Sequence, residues 1–280
     1  MELLDITEDE YHADKTRISA SMVKMMHAKT PAHVYDAYFA EDREQKDTPA
    51  MAFGRMVHAA ILEPEKFDDK FMVMPEGLDR RTKEGKDLWA DIQASGKSVV
   101  KHDEFNSALK MSASVHALPI WVDIMANNPQ FEVSVKTKEK RARMDTFVPP
   151  CARFPDGLIV DLKSTVDASP FAFGRDLNKL GYHLQAAYYC DLVAELSGKT
   201  PEFLVIAVEK TRPFIAKPYW VGAGEIEIGR KYAMEAYQKL VDCIALNNWY
   251  GYGDEPEDIE LPGWAYSEFE ESLEITTEDD

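Results

Sequence analysis

The feature that most constrains the fold is a short apolar segment that leads into charged residues. Residues 158–160 (LIV) are apolar, follow the turn residues 155–157 (PDG), and run directly into Asp161, Leu162 and Lys163. Such a segment predicts a short buried strand. Because side chains alternate along a strand, Asp161 and Lys163 share one face and Leu162 lies on the other. The sequence therefore places an acid and an amine inside a core.

A second acid lies on the strand predicted before this one. Residues 141–148 predict a strand with Asp145 inside it, which pairs through a charged turn with an alternating strand at residues 131–135. A charged pair on an interior strand is costly unless a bound cation and an anionic phosphate compensate it. Two carboxylates and an amine at strand ends are the groups that a metal-dependent phosphodiester hydrolase requires.

The spacing of an acid, any residue and a lysine is weak when taken alone. It occurs at three other places in the chain, all in polar surroundings that are typical of solvated faces. On spacing alone, a buried salt bridge explains Asp161 and Lys163 as well as a catalytic role does. The apolar strand and the preceding acid strand favour the catalytic interpretation.

The composition indicates a globular protein with one large domain. Its 280 residues, 45% hydrophobic and 11% aromatic, can fill a sizeable core. No apolar stretch approaches the roughly 20 residues of a membrane span, and the first residues lack the pattern of a signal peptide. We therefore expect a cytoplasmic protein without membrane contact. Cys151, Cys190 and Cys243 are too few and too scattered for a disulfide framework or a metal cluster, so we expect reduced thiols.

The net charge of −18 argues at first sight against a nucleic-acid partner. The charge is uneven, because residues 251–280 contain 12 acidic residues and no Lys or Arg. The sequence thus predicts one domain over residues 1–250 and an acidic C-terminal tail over residues 251–280. Lys and Arg are concentrated at residues 80–86 and 136–143. These clusters are either a restricted positive channel on an acidic body or solvated faces.

The remaining patterns predict helices packed on a mixed sheet, which is an α/β fold with extra N-terminal helices. The predicted helices are a short one that begins at residues 18–21, one at 51–62, a mainly helical region at 86–127, and helices at 182–196 and 225–246. The predicted strands beyond those already described are residues 203–208 and 214–221.

Five segments together resemble a known family. They are residues 53–58 (FGRMVH) with 62–64 (LEP), 143–145 (RMD), 159–165 (IVDLKST), 182–189 (YHLQAAYY) and 261–265 (LPGWA). In this order they resemble the phage-type 5′ to 3′ exonucleases of the PD-(D/E)XK nuclease superfamily, in particular exodeoxyribonuclease VIII (RecE type) and, more distantly, lambda exonuclease. The resemblance extends over residues 18–265. It implies a restriction-endonuclease-like PD-(D/E)XK core.

The resemblance also implies a metal site. Asp145 and Asp161 would ligate a divalent cation, and the Leu162 carbonyl and His58 would complete the site. Oxygen ligands suit Mg²⁺, and the imidazole would also accept Mn²⁺. Lys163 would hold the attacking water or help to deprotonate it.

Three further residues are implied by the same resemblance. Gln185 and Tyr189 are four residues apart on one helix face and would orient the water or the scissile phosphate. Glu132 corresponds to an additional acid that related nucleases carry on the first strand. Without the resemblance, simpler interpretations hold: His58 and Tyr189 would be core residues, Gln185 would lie near a helix end, and Glu132 would be an exposed strand residue.

A 5′-phosphate site is a separate hypothesis. Arg17, Ser19 and Ser21 surround a predicted helix N-terminus, where free backbone N–H groups and a guanidinium would attract a phosphate. Arg55 and Arg143 lie in the matching segments and are expected to contact DNA. Helix capping explains the two serines equally well.

The implied activity is that of a Mg²⁺-dependent exodeoxyribonuclease. It would degrade one strand of linear double-stranded DNA in the 5′ to 3′ direction to 5′-mononucleotides, leaving 3′ overhangs for single-strand annealing recombination. The family implies a homo-oligomeric ring, a trimer or tetramer, whose subunits turn their basic residues inward. The acidic tail would contact a single-strand annealing protein or keep the oligomer soluble. The alternatives are an endonuclease of the same fold and a non-catalytic DNA- or protein-binding module.

Overall fold

The structure is a computed structural model that describes residues 3–4, 6–42 and 48–267, with the backbone alone at Asp9. The chain divides into two compact units, residues 1–249 and residues 250–280. Within the second unit, nearly all of residues 250–267 are exposed. The rest of the predicted acidic tail, residues 268–280, lies outside the described residues.

The helices of the described residues include α1 (Glu8–Ala13), α2 (Ala20–Ala28), α3 (Pro31–Tyr38), α4 (Pro49–Leu62), α5 (Phe67–Lys70), α6 (Lys83–Ala94), α7 (His102–His116), α8 (Pro119–Met125), α9 (Pro170–Lys179), α10 (Tyr182–Ser197) and α11 (Ala223–Leu246). The strands are β1 (Ile18–Ser19), β2 (Phe71–Val73), β3 (Ser98–Val100), β4 (Gln130–Lys136), β5 (Lys140–Val148), β6 (Leu158–Thr165), β7 (Glu202–Glu209) and β8 (Ala216–Trp220). Within this part of the chain, no helix combines the length and apolar character needed to cross a membrane.

A six-stranded mixed sheet forms the centre of the first unit. Strand β5 pairs antiparallel with β4, parallel with β1, and antiparallel with β6. Strand β6 continues the sheet by pairing parallel with β7, and β7 pairs antiparallel with β8. Strands β2 and β3 form a separate parallel pair. The predicted mixed sheet flanked by helices is confirmed.

Both faces of the central strands are buried. Ile159 and Val205 belong to one hydrophobic cluster, which also contains residues of α2, α10 and α11. Their neighbours Leu158 and Leu204 belong to a second cluster, which contains residues of α4 and α7. A strand that is covered on both faces is apolar at every position, which explains the continuous run at residues 158–160. The sheet therefore separates two helical layers, each with its own core.

Two differences from the sequence prediction concern the ends of elements. Ser19 caps α2 as expected, since its Oγ accepts the backbone N–H of Met22 at 3.4 Å. Before the cap, however, Ile18 and Ser19 pair with β5, and a two-residue strand is too short to leave a periodic pattern. The strand predicted from residue 214 begins at Ala216, because the preceding turn includes Phe214 with φ of +61°.

Several further elements were not predicted, namely α1, α3, α5, α9, β2 and β3. Helix α9 begins at Pro170 after the cap Ser169 and packs Phe173 and Leu177 against the first hydrophobic cluster, but it is only ten residues long. The β2 and β3 strands have three residues each and are only partly buried. Short or mostly exposed elements carry little hydrophobic periodicity.

Helices α10 and α11 approach closely at Gly229. A Cβ atom at this position would overlap the backbone carbonyl of His183.

We predict that Gly229→Ala lowers the free energy of unfolding by about 1–3 kcal/mol, as overpacked core substitutions do. Gly224→Ala on the same helix is the control, because a Cβ there meets no atom within 4 Å. Urea unfolding of both variants measures the difference, and equal stabilities would contradict the close approach.

Candidate active site

Three acids lie in a row across three neighbouring strands. Glu132 on β4 stands opposite Asp145 on β5, between the pairs Phe131↔Thr146 and Val133↔Met144. The β5–β6 ladder ends at the pair Thr146↔Val160, and Asp145 and Asp161 are the next residue on each strand. Glu132 also has φ of +51°, which is unusual for a residue with a side chain. Like charges at facing positions are unfavourable, so this row indicates a functional site.

Strands β5 and β6 diverge at this row, and side chains occupy the gap. The backbone N–H of Leu162 donates to Asp145 Oδ2 at 2.7 Å. On α4, His58 Nε2 lies 3.1 Å from the Leu162 carbonyl oxygen, and its Nδ1 lies 3.7 Å from Asp145 Oδ1. His58, Asp145 and Leu162 thus form one connected group. Asp145 and Leu162 lie where β5 and β6 separate, and we call this place the fork.

Glu132 adds a second carboxylate to this group. One ligand atom each of His58, Glu132 and Asp145 lies within 4.8 Å of the others. Burial, followed by the negative charge of Asp145, raises the pKa of the Glu132 carboxyl, while Arg143 Nε donates to its Oε2 at 3.0 Å. Two carboxylates and an imidazole that converge in this way provide ligands suited to Mg²⁺ or Mn²⁺. These residues therefore fit a divalent cation.

Asp161 is held by different partners. Its side chain is nearly fully buried, with 3% of the residue exposed. Gln185 Nε2 on α10 donates to Asp161 Oδ1 at 2.8 Å, and Lys163 Nζ lies 2.6 Å from Oδ2. Burial alone would lower the pKa of Lys163, but the charges of Asp161 and Asp145 outweigh it and raise that pKa. The ammonium form of Lys163 is therefore favoured, and in this form it donates to Asp161.

Lys24 on α2 reaches the same cluster, and the sequence prediction missed it. Its Nζ donates to Gln185 Oε1 at 2.9 Å. The ring of Tyr182 lies beside both amines, with its centroid 5.4 Å from Lys24 Nζ and 4.8 Å from Lys163 Nζ. Burial, and then the charge of Lys163, lowers the pKa of Lys24 to about 8. The one available signal was a single lysine within the apolar sequence of residues 22–26.

A large cleft opens on the His58 side of the fork. Its volume is about 1390 Å³. Seven of the predicted site residues line it: Ser21, Arg55, His58, Glu132, Arg143, Asp145 and Tyr189. The remaining lining residues come chiefly from α1, α4, the α5 region and β3. The cleft thus gives access to the three-residue group that fits a cation.

Two of the residues predicted to bind a 5′-phosphate do not line this cleft. Arg17 Nη1 pairs with Asp14 Oδ2 at 2.7 Å, and its Nε donates to the Thr137 carbonyl. Ser19 is buried and caps α2. Ser21, two residues further along, is exposed and does line the cleft.

Comparison with known proteins identifies the family. Residues 19–260 match the family model described as a PDDEXK-like domain of unknown function (DUF3799). A crystal structure of a protein from Eubacterium rectale, described as a candidate exonuclease, is similar in fold, with a TM-score of 0.61 and 15% sequence identity. The similarity covers 92% of this chain and 96% of that one. No curated protein shows significant similarity to the chain.

The matched family and the mixed sheet with its flanking helices agree with each other. They place the fold in the PD-(D/E)XK nuclease superfamily, which the sequence resemblance implied. The family model covers most of the chain, from the cap of α2 to ten residues into the acidic tail. The chain belongs to the PDDEXK-like domain family of unknown function.

Proposed function

We propose that this protein is a metal-dependent exodeoxyribonuclease that degrades one strand of linear double-stranded DNA in the 5′ to 3′ direction. The observation that carries the proposal is the row of Glu132, Asp145 and Asp161 at a fork in the sheet, with Lys163 beside it. A nuclease needs carboxylates for a cation and a cationic donor for the phosphate, and the fork supplies both. In a non-catalytic binding module, nothing would offset the cost of burying this combination of charges.

His58, Glu132 and Asp145 are the residues best placed to hold a divalent cation, since their ligand atoms converge on one volume. Asp161 and the Leu162 carbonyl are adjacent to them and are the further ligands that we propose. When bound, Mg²⁺ would supply Lewis-acid stabilisation of the phosphate and a water of lowered pKa. The imidazole ligand also makes Mn²⁺ acceptable.

The chain's own groups perform the remaining tasks. Lys163, held by Asp161 as an ammonium, donates to a phosphate oxygen or to the attacking water and stabilises the charge that develops there. Gln185 fixes the other oxygen of Asp161, which keeps that carboxylate in one orientation. Tyr189 lines the cleft near Asp145, where its hydroxyl would position the scissile phosphate. Burial raises the pKa of Tyr189 well above its ordinary value, so it acts as a neutral donor.

The direction of digestion requires a site for the DNA end. We propose that the start of α2 forms it through Ser21, which lines the cleft, and through Arg17 and Ser19 close by in sequence, although these two do not line the cleft themselves. Arg55 and Arg143 line the cleft and would contact the DNA backbone.

We also propose the assembly and setting that the exonuclease resemblance implies. The protein would act in the cytoplasm as a trimeric or tetrameric ring around DNA, with an acidic outer surface. Its 3′ overhangs would serve single-strand annealing recombination through an annealing protein. The residues at 251–280, with 12 acids and no Lys or Arg, would contact that partner or maintain solubility.

Digestion of linear and closed circular duplex tests the activity directly. With 5′-phosphorylated linear DNA and Mg²⁺, we expect loss of the linear duplex alone, and EDTA should abolish it. Lys163→Ala should lower the rate by at least ~100-fold, since it removes the donor at the phosphate. Lys231→Ala, at an exposed site on α11, is the control for charge loss. Nicking of the circle would indicate an endonuclease, and intact DNA throughout would reject the nuclease assignment.

Calorimetric titration with Mn²⁺ tests the metal site without any DNA. Asp145→Asn should weaken Mn²⁺ binding by at least ~10-fold, because it removes a charged ligand while its carbonyl oxygen can still accept the Leu162 N–H. Glu132→Gln should weaken it as well. Glu235→Gln on the exposed face of α11 is the matched control and should leave binding unchanged. Native affinity in Asp145→Asn would refute the assignment.

Competition between 5′-phosphorylated and 5′-hydroxyl duplex tests the phosphate site. Arg17→Ala and Ser21→Ala should each reduce the preference for phosphorylated ends by roughly 10-fold, the value of a charge-assisted hydrogen bond. Lys15→Ala removes a charge from an exposed neighbour and should keep the preference. If Arg17→Ala retains the full preference, the phosphate is bound elsewhere.

A further inference from the structure

A hydrogen-bonded chain connects α2 to the acid on β6. Lys24 Nζ donates to Gln185 Oε1 at 2.9 Å, and Gln185 Nε2 donates to Asp161 Oδ1 at 2.8 Å. Lys24 and Gln185 are 161 residues apart in sequence, so the tertiary fold alone brings them together. Gln185 is 8% exposed and Asp161 is 3% exposed, which shields the second link from solvent.

With Lys24 as an ammonium and Asp161 as a carboxylate, the two ends of this chain permit only one orientation of the amide. An ammonium group is a donor without an acceptor, and an ionised carboxylate is an acceptor without a donor. With its oxygen toward Lys24 and its nitrogen toward Asp161, Gln185 makes both hydrogen bonds. The flipped amide would make neither, and it would place an oxygen against the buried carboxylate, which is unfavourable at low solvent exposure.

We propose that Lys24 is a positioning residue that holds the side-chain amide of Gln185 with its nitrogen toward Asp161. Without Lys24, the amide oxygen has lost its donor, and rotation of the amide costs one hydrogen bond instead of two. Asp161 is then no longer fixed in the orientation in which its other oxygen meets Lys163. Lys24 thus acts on the site through Gln185 and needs no contact with substrate.

The ring of Tyr182 supports the geometry from one side. It lies beside the Nζ atoms of both Lys24 and Lys163, at 5.4 and 4.8 Å from its centroid. A cation is attracted to an aromatic face, so the ring holds the Lys24 amine near α10 without neutralising it. Gly181, which precedes the same helix, lies against the Lys24 side chain, where a Cβ would be in ordinary contact with Cδ of Lys24 at 3.4 Å.

The first test is spectroscopic and needs no enzymatic activity. The side-chain amide protons of Gln185 are assigned by NMR from their absence in Gln185→Glu. In the native protein we expect one amide proton to be shifted by its bond to the carboxylate and protected from solvent exchange. Lys24→Met should remove the shift and the protection, whereas Lys24→Arg, which keeps a donor, should retain them. Unchanged amide signals in Lys24→Met would overturn the proposal.

Matched variants separate positioning from a general loss of structure. Lys29→Met removes the same charge from the exposed end of α2 and should leave the Gln185 signals unchanged. Urea unfolding reports whether Lys24→Met is still folded. If the urea midpoint of Lys24→Met falls far below that of the native protein, Lys24→Gln is measured in its place. The glutamine amide can either donate or accept, so it does not fix the orientation of the Gln185 amide.

As a statement about catalysis, the inference rests on the proposed nuclease function. Lys24→Met should lower kcat roughly 10-fold or more at unchanged KM, since misplacement of a catalytic group has effects of this size. In a Gln185→Met background, Lys24→Met should cause no further loss. If the losses in kcat multiply in the double variant, Lys24 acts independently of Gln185, and the proposal is overturned. If the native protein cleaves no DNA, the proposed function fails, and the NMR measurement still decides the role of Lys24.

Discussion

The separation of β5 from β6 is the constraint on which the site depends. Up to Thr146 and Val160 the two strands share backbone hydrogen bonds. Beyond that point, buried backbone groups need other partners, because an unsatisfied amide in the interior is costly. Asp145 satisfies the N–H of Leu162, and His58 approaches its carbonyl. The fork therefore requires polar side chains, and the same side chains form the candidate site.

The fork also explains how two helical layers contribute to one site. His58 comes from α4, whose apolar residues belong to one hydrophobic cluster, and Gln185 and Lys24 come from helices of the other. A continuous sheet would keep these side chains on opposite faces. Where the strands separate, groups from both layers meet at Asp145 and Asp161. The Glu132 carboxylate reaches the same place through a backbone with positive φ.

The sequence predicts the main strands and helices well, and the contacts among the site residues less well. Strands β6 and β7 are apolar at successive positions because both faces are buried, so they could be recognised, and Asp161 and Lys163 stood out against them. Lys24 could not be found in this way, since its partner is distant in sequence and a lone lysine in a helix usually faces solvent. The family resemblance implied Glu132 as an additional acid, but its position beside Asp145 follows from the strand register, which local patterns do not contain.

The separate cores of the two layers have a consequence for local opening. Proteins open in cooperative segments that follow their packing units, each with its own free energy. Helix α4 packs with α7 in one cluster, while α2 and α10 pack together in the other. Opening of the α4 segment would carry His58 away from Leu162 and leave the bonds among Lys24, Gln185 and Asp161 intact. We therefore expect the two halves of the site to open independently, and hydrogen exchange would resolve them as distinct classes of amide.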